Sequence, residues 1–193
     1  MKLHYKGKFD MNEDSLPQKP HPAGFVPFKE AADMKALSRI TLGFGLGLFA
    51  LFGAVVLFRY WGKLSMASVI PFYFGLLCSI FTALPHELLH AVCFKKDVYL
   101  YTCLRQGMLF VVGTESMSKA RFIFLSLLPN VVFGFVPYLI GVITADHLFW
   151  TSFGLACIVM GAGDYYNAFN ALVQMPRGAR TYMSGLHSFW YMP

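Results

Sequence analysis

The stretch Thr82–Phe94, TALPHELLHAVCF, decides how this chain is read. It closes a long apolar run, yet it holds His86, Glu87 and His90 within five residues. An ionisable group inside a membrane span costs ~2.5–3.5 kcal/mol or more. Three in one turn therefore ask for a chemical reason. On a helix, positions i and i+4 lie about 40° apart around the axis and one turn along it. His86 and His90 can then reach one ion together, with Glu87 flanking it. His-Glu-x-x-His at this spacing is a zinc-binding arrangement in which the glutamate serves as general base. The metal is needed because water, with a pKa of ~15.7, supplies almost no hydroxide at neutral pH, whereas zinc brings that pKa to ~7. Pro85 removes a backbone bond and its ring crowds the carbonyl of Phe81, so a kink is expected there.

Composition sets the surroundings. The 193 residues are 56% hydrophobic and only 13% charged, with 20 Phe and 10 Tyr, which is too apolar for an ordinary water-soluble domain. Four apolar segments emerge: Ile40–Phe58, Met66–Phe94, Phe122–Ile143 and His147–Val173. Each has about the ~20 residues that cross a hydrocarbon core. The reading is an all-α membrane protein of about four transmembrane helices. Residues 98–112, VYLYTCLRQGMLFVV, are β-branched and aromatic and break near Arg105-Gln106-Gly107. They read as a short β-hairpin-like element between the second and third helices. The expected organisation is a polar cytosolic tail over 1–35, a membrane-embedded domain over 36–176 and a cytosolic C-terminal tail over 177–193. No cleavable leader is visible, and Pro17–Pro27 reads as an extended segment.

The net charge of +6 is spread between the apolar runs rather than gathered in a stripe, so nucleic acid is not an expected partner; a lipid bilayer is. Seven Lys or Arg lie in residues 1–39, five between the second and third segments, and two after the fourth. Arg59 and Lys63 lie between the first and second, and none between the third and fourth. The positive-inside rule then places both termini in the cytoplasm of a multi-pass plasma-membrane protein. Cys78, Cys93, Cys103 and Cys157 share no CxxC spacing and read as reduced small hydrophobes.

A hydrolytic zinc site takes three protein ligands and an open position. Asp164 is the only acid inside the first, third or fourth segment, and by residue count it falls at a depth similar to His86. It is the expected third ligand, with one Zn2+ per chain. Gly161 and Gly163 beside it leave room for close helix approach. Asn167, one turn beyond Asp164, and Asn130, after Pro129, are candidates to bond substrate, hold a ligand carboxylate or stabilise an oxyanion, or simply to bond between helices. His187 lies in the C-terminal tail, and Tyr165 and Tyr166 read as packing residues.

HELLH after a proline, a strand-like segment behind it, the Pro129-Asn130 pair, GDYYNAF from Gly163 and MPRGA from Met175 together resemble a bacterial family of putative zincin peptidases related to site-2-type intramembrane metalloproteases. The resemblance covers roughly residues 35–193. It implies that His86, His90 and Asp164 hold zinc, that Glu87 is the base, and that the 98–112 element pairs with an unwound substrate. The chain departs from the site-2 pattern in reading Gly163-Asp164 rather than Asp-Gly, and it lacks the Asn-x-x-Pro that precedes that Asp. The function expected is zinc-dependent hydrolysis of peptide bonds in membrane-anchored proteins or peptides near the cytoplasmic face. The rivals are a non-catalytic membrane adaptor that keeps a metal-binding fold and a metal-dependent lipid hydrolase. A scaffold has no use for Glu87, which favours the enzyme.

Overall fold

The computed structural model describes residues 1–103, 107–144 and 147–193, the side chain of Met34 aside. Along the chain run β1 (Lys2–Lys8), a 3-10 turn (Glu13–Ser15), β2 (Val26–Pro27), α1 (Met34–Arg59), α2 (Met66–Ile80) and α3 (Ala83–Val92). Then come β3 (Asp97–Cys103), β4 (Met108–Val112), β5 (Met117–Ser118), α4 (Lys119–Pro129), a π-helical turn (Asn130–Phe135) and α5 (Val136–Thr144). The chain ends with α6 (Leu148–Met160), α7 (Ala162–Gln174), β6 (Arg180–Ser184) and β7 (His187–Tyr191). These form two compact units: a helical one of residues 31–86 and 127–166, and a sheet-bearing one of 1–30, 87–126 and 167–193.

In the helical unit, α1 starts at an Asp33 cap, whose carboxylate accepts from Ala36 N at 2.7 Å. Very little of α1 is buried against the rest of the protein, as a lipid-facing helix requires. At its far end, Arg59 Nε and Nη2 donate to the carbonyls of Val142 and Ile143 at the end of α5. Small residues set the close contacts. A Cβ on Gly75 would strike Ser152 and Phe149 of α6, and one on Gly154 would strike the backbone of Tyr138 in α5. The core is Tyr138, Leu155 and Ile158, covered by Leu48, Phe52 and Val56 of α1.

Among the described residues, two helical stretches are long and apolar enough to cross a membrane, Lys35–Arg59 and Lys119–Thr144. The second runs unbroken through α4, the π turn and α5. A third crossing exists if α2 and α3 count as one span, for they are bent by 48° at a short break. That break, after Ile80, agrees with the kink anticipated around Phe81, because Pro85 cannot donate to its carbonyl. The fourth expected span is corrected: it divides at Gly161 into α6 and α7, and the 13 residues of α6 rise only ~20 Å. Hydropathy averaged over His147–Val173 does not register such a break.

The all-α expectation is also corrected, because two sheets are present. The anticipated hairpin is there: β3 and β4 pair antiparallel from Tyr99↔Val112 to Cys103↔Met108. Arg105 and Gln106, placed at its turn by the sequence, lie outside the described residues. Sheet order is β1-β3-β4, and β1 runs parallel to β3. The second sheet, β2-β7-β6-β5, is built on the β6–β7 hairpin, whose turn uses Gly185 at φ +62°. Residues 1–30 therefore do not form a separate polar tail. β1 and β2 enter the two sheets, and Phe9, Leu16 and Phe28 are buried. The C-terminal residues likewise form β6 and β7. The main core of this unit joins Ala91 of α3 and Phe94 to Val98, Met117, Phe122, Leu125, Ala171 and Met175.

Candidate metal centre

Helix α3 carries HELLH. His86, Glu87 and His90 project from one turn of this single helix, and their ligating atoms all lie within 4.8 Å of one another. His90 is buried, while His86 and Glu87 are half-buried.

On the sheet-bearing side, His90 Nδ1 lies 2.9 Å from the carbonyl of Leu125 in α4. A carbonyl only accepts, so the proton sits on Nδ1 and the lone pair on Nε2, the arrangement that orients a histidine for a metal. Glu87 Oε2 accepts from the backbone N–H of Val111 in β4 at 3.1 Å. That bond points Glu87 along a strand which is the terminal member of its sheet.

On the helical side, His86 Nε2 lies 3.0 Å from Asp164 Oδ2. Asn130 Nδ2 donates to the same oxygen at 2.8 Å. Asp164 sits in the first turn of α7, where the exposed N–H groups of the helix favour a carboxylate. Asn130 opens the π turn directly after Pro129 and is 1% exposed. π turns insert an extra residue and re-aim side chains, often at functional sites. Gly161 makes room for it, since a Cβ there would collide with the Asn130 carboxamide. Among the described residues, a Cβ built on Gly163 meets nothing within 4 Å beyond its chain neighbours and its own helix backbone, so of the two glycines it is Gly161 that serves a close approach.

The residues fit zinc on chemical grounds. Two imidazoles and a carboxylate are the donor types zinc takes, and two ligands of a tetrahedral zinc stand roughly 3.3 Å apart. The separation between His86 and Asp164 is close to that. Asn167 is exposed on α7, one turn past Asp164. His187 is occupied elsewhere, with Nε2 at 3.3 Å from Glu13 and Nδ1 at 3.5 Å from Glu30. Tyr166 and Tyr165 make the packing contacts anticipated for them, with Phe44 and Phe135 respectively.

Sequence reasoning missed the groups that hold these side chains. A backbone carbonyl (Leu125) or amide (Val111) leaves no mark in a sequence. Arg121 counts in the sequence only as one of five basic residues between the second and third segments, and Glu115 carries no signal of its own.

Residues 79–180 match the family described as "Putative zincin peptidase". The chain belongs to this family. The matched region holds all of the candidate site residues, from His86 to Asn167, and family membership points to metallopeptidase chemistry with zinc as cofactor. No curated protein and no solved structure matches the chain.

Proposed function

We propose that this zincin-family protein is a membrane-embedded, zinc-dependent endopeptidase that cleaves membrane-anchored proteins or peptides near the cytoplasmic face, with a site-2-like ligand set. The observation that carries the reading is the pairing of His86 with Asp164 beside the HELLH trio. It supports His86, His90 and Asp164 as ligands of one ion, leaving Glu87 for proton transfer. Zinc, when bound, supplies Lewis acidity that brings the pKa of water to ~7.

The chain's own groups do the rest. Glu87 takes a proton from the attacking water as its oxygen bonds to the peptide carbonyl carbon. As the C–N bond breaks, Glu87 returns that proton to the leaving amine. Val111 N–H fixes one oxygen of Glu87. Leu125 O fixes the ring of His90. Asn130 holds the Asp164 carboxylate, which favours the carboxylate-holding role among those open to it. Asn167, being exposed, is left for substrate. An extended peptide can add to the outer edge of β4, the terminal strand of its sheet among the described residues, beside the Val111 N–H that Glu87 engages, gaining main-chain bonds with little demand on sequence. Membrane placement rests on the two to three apolar spans, and the cytoplasmic position of both termini on the distribution of Lys and Arg.

Metal analysis of detergent-purified protein tests the ligand set. About one zinc per chain is expected in wild type, with sharp loss in His90→Ala and Asp164→Ala. New N-termini in the membrane proteome of cells expressing wild type, absent with Glu87→Gln that keeps its zinc, would establish proteolysis. Retained zinc and phenotype in Glu87→Gln would favour the adaptor. Released fatty acid in place of new N-termini would favour the lipid hydrolase.

A further inference from the structure

The last turn of α3 ends in a charged node that no catalytic role requires. Arg121, two residues into α4, sends Nε to the carbonyl of Cys93 at 3.1 Å and Nη2 to the same oxygen at 2.5 Å. Its Nη1 lies 2.6 Å from Glu115 Oε1. The other oxygen, Glu115 Oε2, accepts from the backbone N–H groups of Lys95 at 2.6 Å and Lys96 at 3.1 Å. Glu115 is buried and its partner largely so, with side chains 7% and 23% exposed. One ion pair thus captures a carbonyl just past the end of α3 and the amides of Lys95 and Lys96 in the turn into β3. The last carbonyls of a helix have no partner within it, and its C-terminus favours a cation. A guanidinium forked between a carbonyl and a carboxylate meets both needs with fixed geometry, which an ammonium cannot reproduce.

Placement gives the node its meaning. Arg121 and Leu125 are four residues apart, hence on one face of α4. Leu125 O holds His90, and Arg121 holds the residue three beyond it. Glu115 follows β4 by three residues, and β4 supplies Val111 N–H to Glu87. The same two segments that touch Glu87 and His90 therefore also clamp the end of their helix.

We propose that Arg121 and Glu115 are positioning residues of the metal helix, fixing the end of α3 so that His90 and Glu87 stay in register with Leu125 O and Val111 N–H. The proposal rests on the metallopeptidase reading, and neither residue touches metal or substrate. The outer contacts of metal ligands typically shift affinity 10–100-fold.

The test compares wild type, Arg121→Lys, Glu115→Gln, the double variant and His90→Ala as full-length proteins in detergent. Zinc Kd is measured by competition with a chromophoric chelator, Co2+ is substituted for its visible spectrum, and hydrogen exchange is followed over 86–96 in the metal-free protein. Expected are a 10–100-fold weaker Kd in each single variant, little further loss in the double, an altered Co2+ spectrum, and faster exchange at Lys95 and Lys96 without metal. Wild-type Kd, spectrum and exchange in folded Arg121→Lys and Glu115→Gln would overturn the proposal while leaving the zinc reading intact. A wild type that binds no zinc would overturn both. Should Arg121→Lys misfold, the near-isosteric Glu115→Gln carries the same comparison alone.

Discussion

Asn130 Nδ2 lies 2.8 Å from Asp164 Oδ2, the same carboxylate oxygen that stands 3.0 Å from His86 Nε2. The carboxamide thus fixes which oxygen of Asp164 faces the histidine. Asn130→Ala removes that restraint at a buried site while leaving all three proposed ligands in place. Zinc affinity is expected to fall 10–100-fold with the fold retained. Chelator competition checks the affinity, and circular dichroism checks the fold.

Gly161 gives an independent handle on the same contact. It caps α6 at φ −75°, a conformation open to any residue, so an effect of Gly161→Ala is steric rather than conformational. The new methyl would displace the Asn130 carboxamide and should reproduce the affinity loss of Asn130→Ala. Gly163→Ala, with open space around it, should leave the affinity unchanged and favour α7 by up to ~1 kcal/mol. Equal zinc affinity in the two alanine variants would count against this account.

The sequence marks the candidate site residues more clearly than the architecture around them. HELLH and a lone acid at matching depth are visible because ionisable groups stand out against an apolar background. Asn130 was visible too, but its role depended on a π turn and on the missing side chain at Gly161. The β1 stretch KLHYKGK gives only a weak strand signal: Leu3 and Tyr5 alternate with Lys and His, but the alternation stops at Gly7, and every residue but Gly7 is exposed. Pairing to β3 is mostly main-chain, assisted by His4 stacked on Tyr99 and 3.0 Å from Asp97. TYMSGLHSFWY, by contrast, held a legible hairpin signal in its aromatic residues flanking a glycine. A C-terminal tail over 177–193 does not account for that signal.

Two carboxylates of the sheet-bearing unit should shape acid stability in opposite directions. Burial raises the pKa of Glu115, but the Arg121 bond and the amides of Lys95 and Lys96 outweigh it, so the folded value lies below the ordinary one. Its stabilisation is present above pH ~4.5 and is lost as pH falls through the lowered folded value. Glu30 is raised, chiefly by burial, against the bonds from Ser188 and the nearby His187. Its contribution is complete below pH ~4.5 and is lost as pH rises through the raised value. Glu115→Gln should therefore cost about 1–3 kcal/mol at pH 7 and less near pH 4. Glu30→Gln should be neutral near pH 4 and stabilising at pH 7. Thermal melts of both variants at the two pH values check the signs.

Orientation is open to a direct test. With both termini inside, alkaline phosphatase fused in the Arg59–Lys63 turn should be active, and a fluorescent protein fused after Pro193 should fluoresce. Active phosphatase after Pro193 would reverse the topology and move the proposed cleavage to the other face of the membrane.

Removing the metal should expose how far the site supports the fold. A ligand bound only by the folded state stabilises it by RT ln(1 + [L]/Kd), about 4 kcal/mol at a thousandfold excess over Kd. If His86, His90 and Asp164 share one ion, that ion also links α3 to α7. Chelation should then lower the melting temperature of wild type, and zinc added back should restore it. His90→Ala should melt at the chelated position with or without zinc. Glu87→Gln, which keeps the proposed ligands, should respond to chelation as wild type does. A Glu87→Gln variant that no longer responds would make Glu87 a ligand rather than the base.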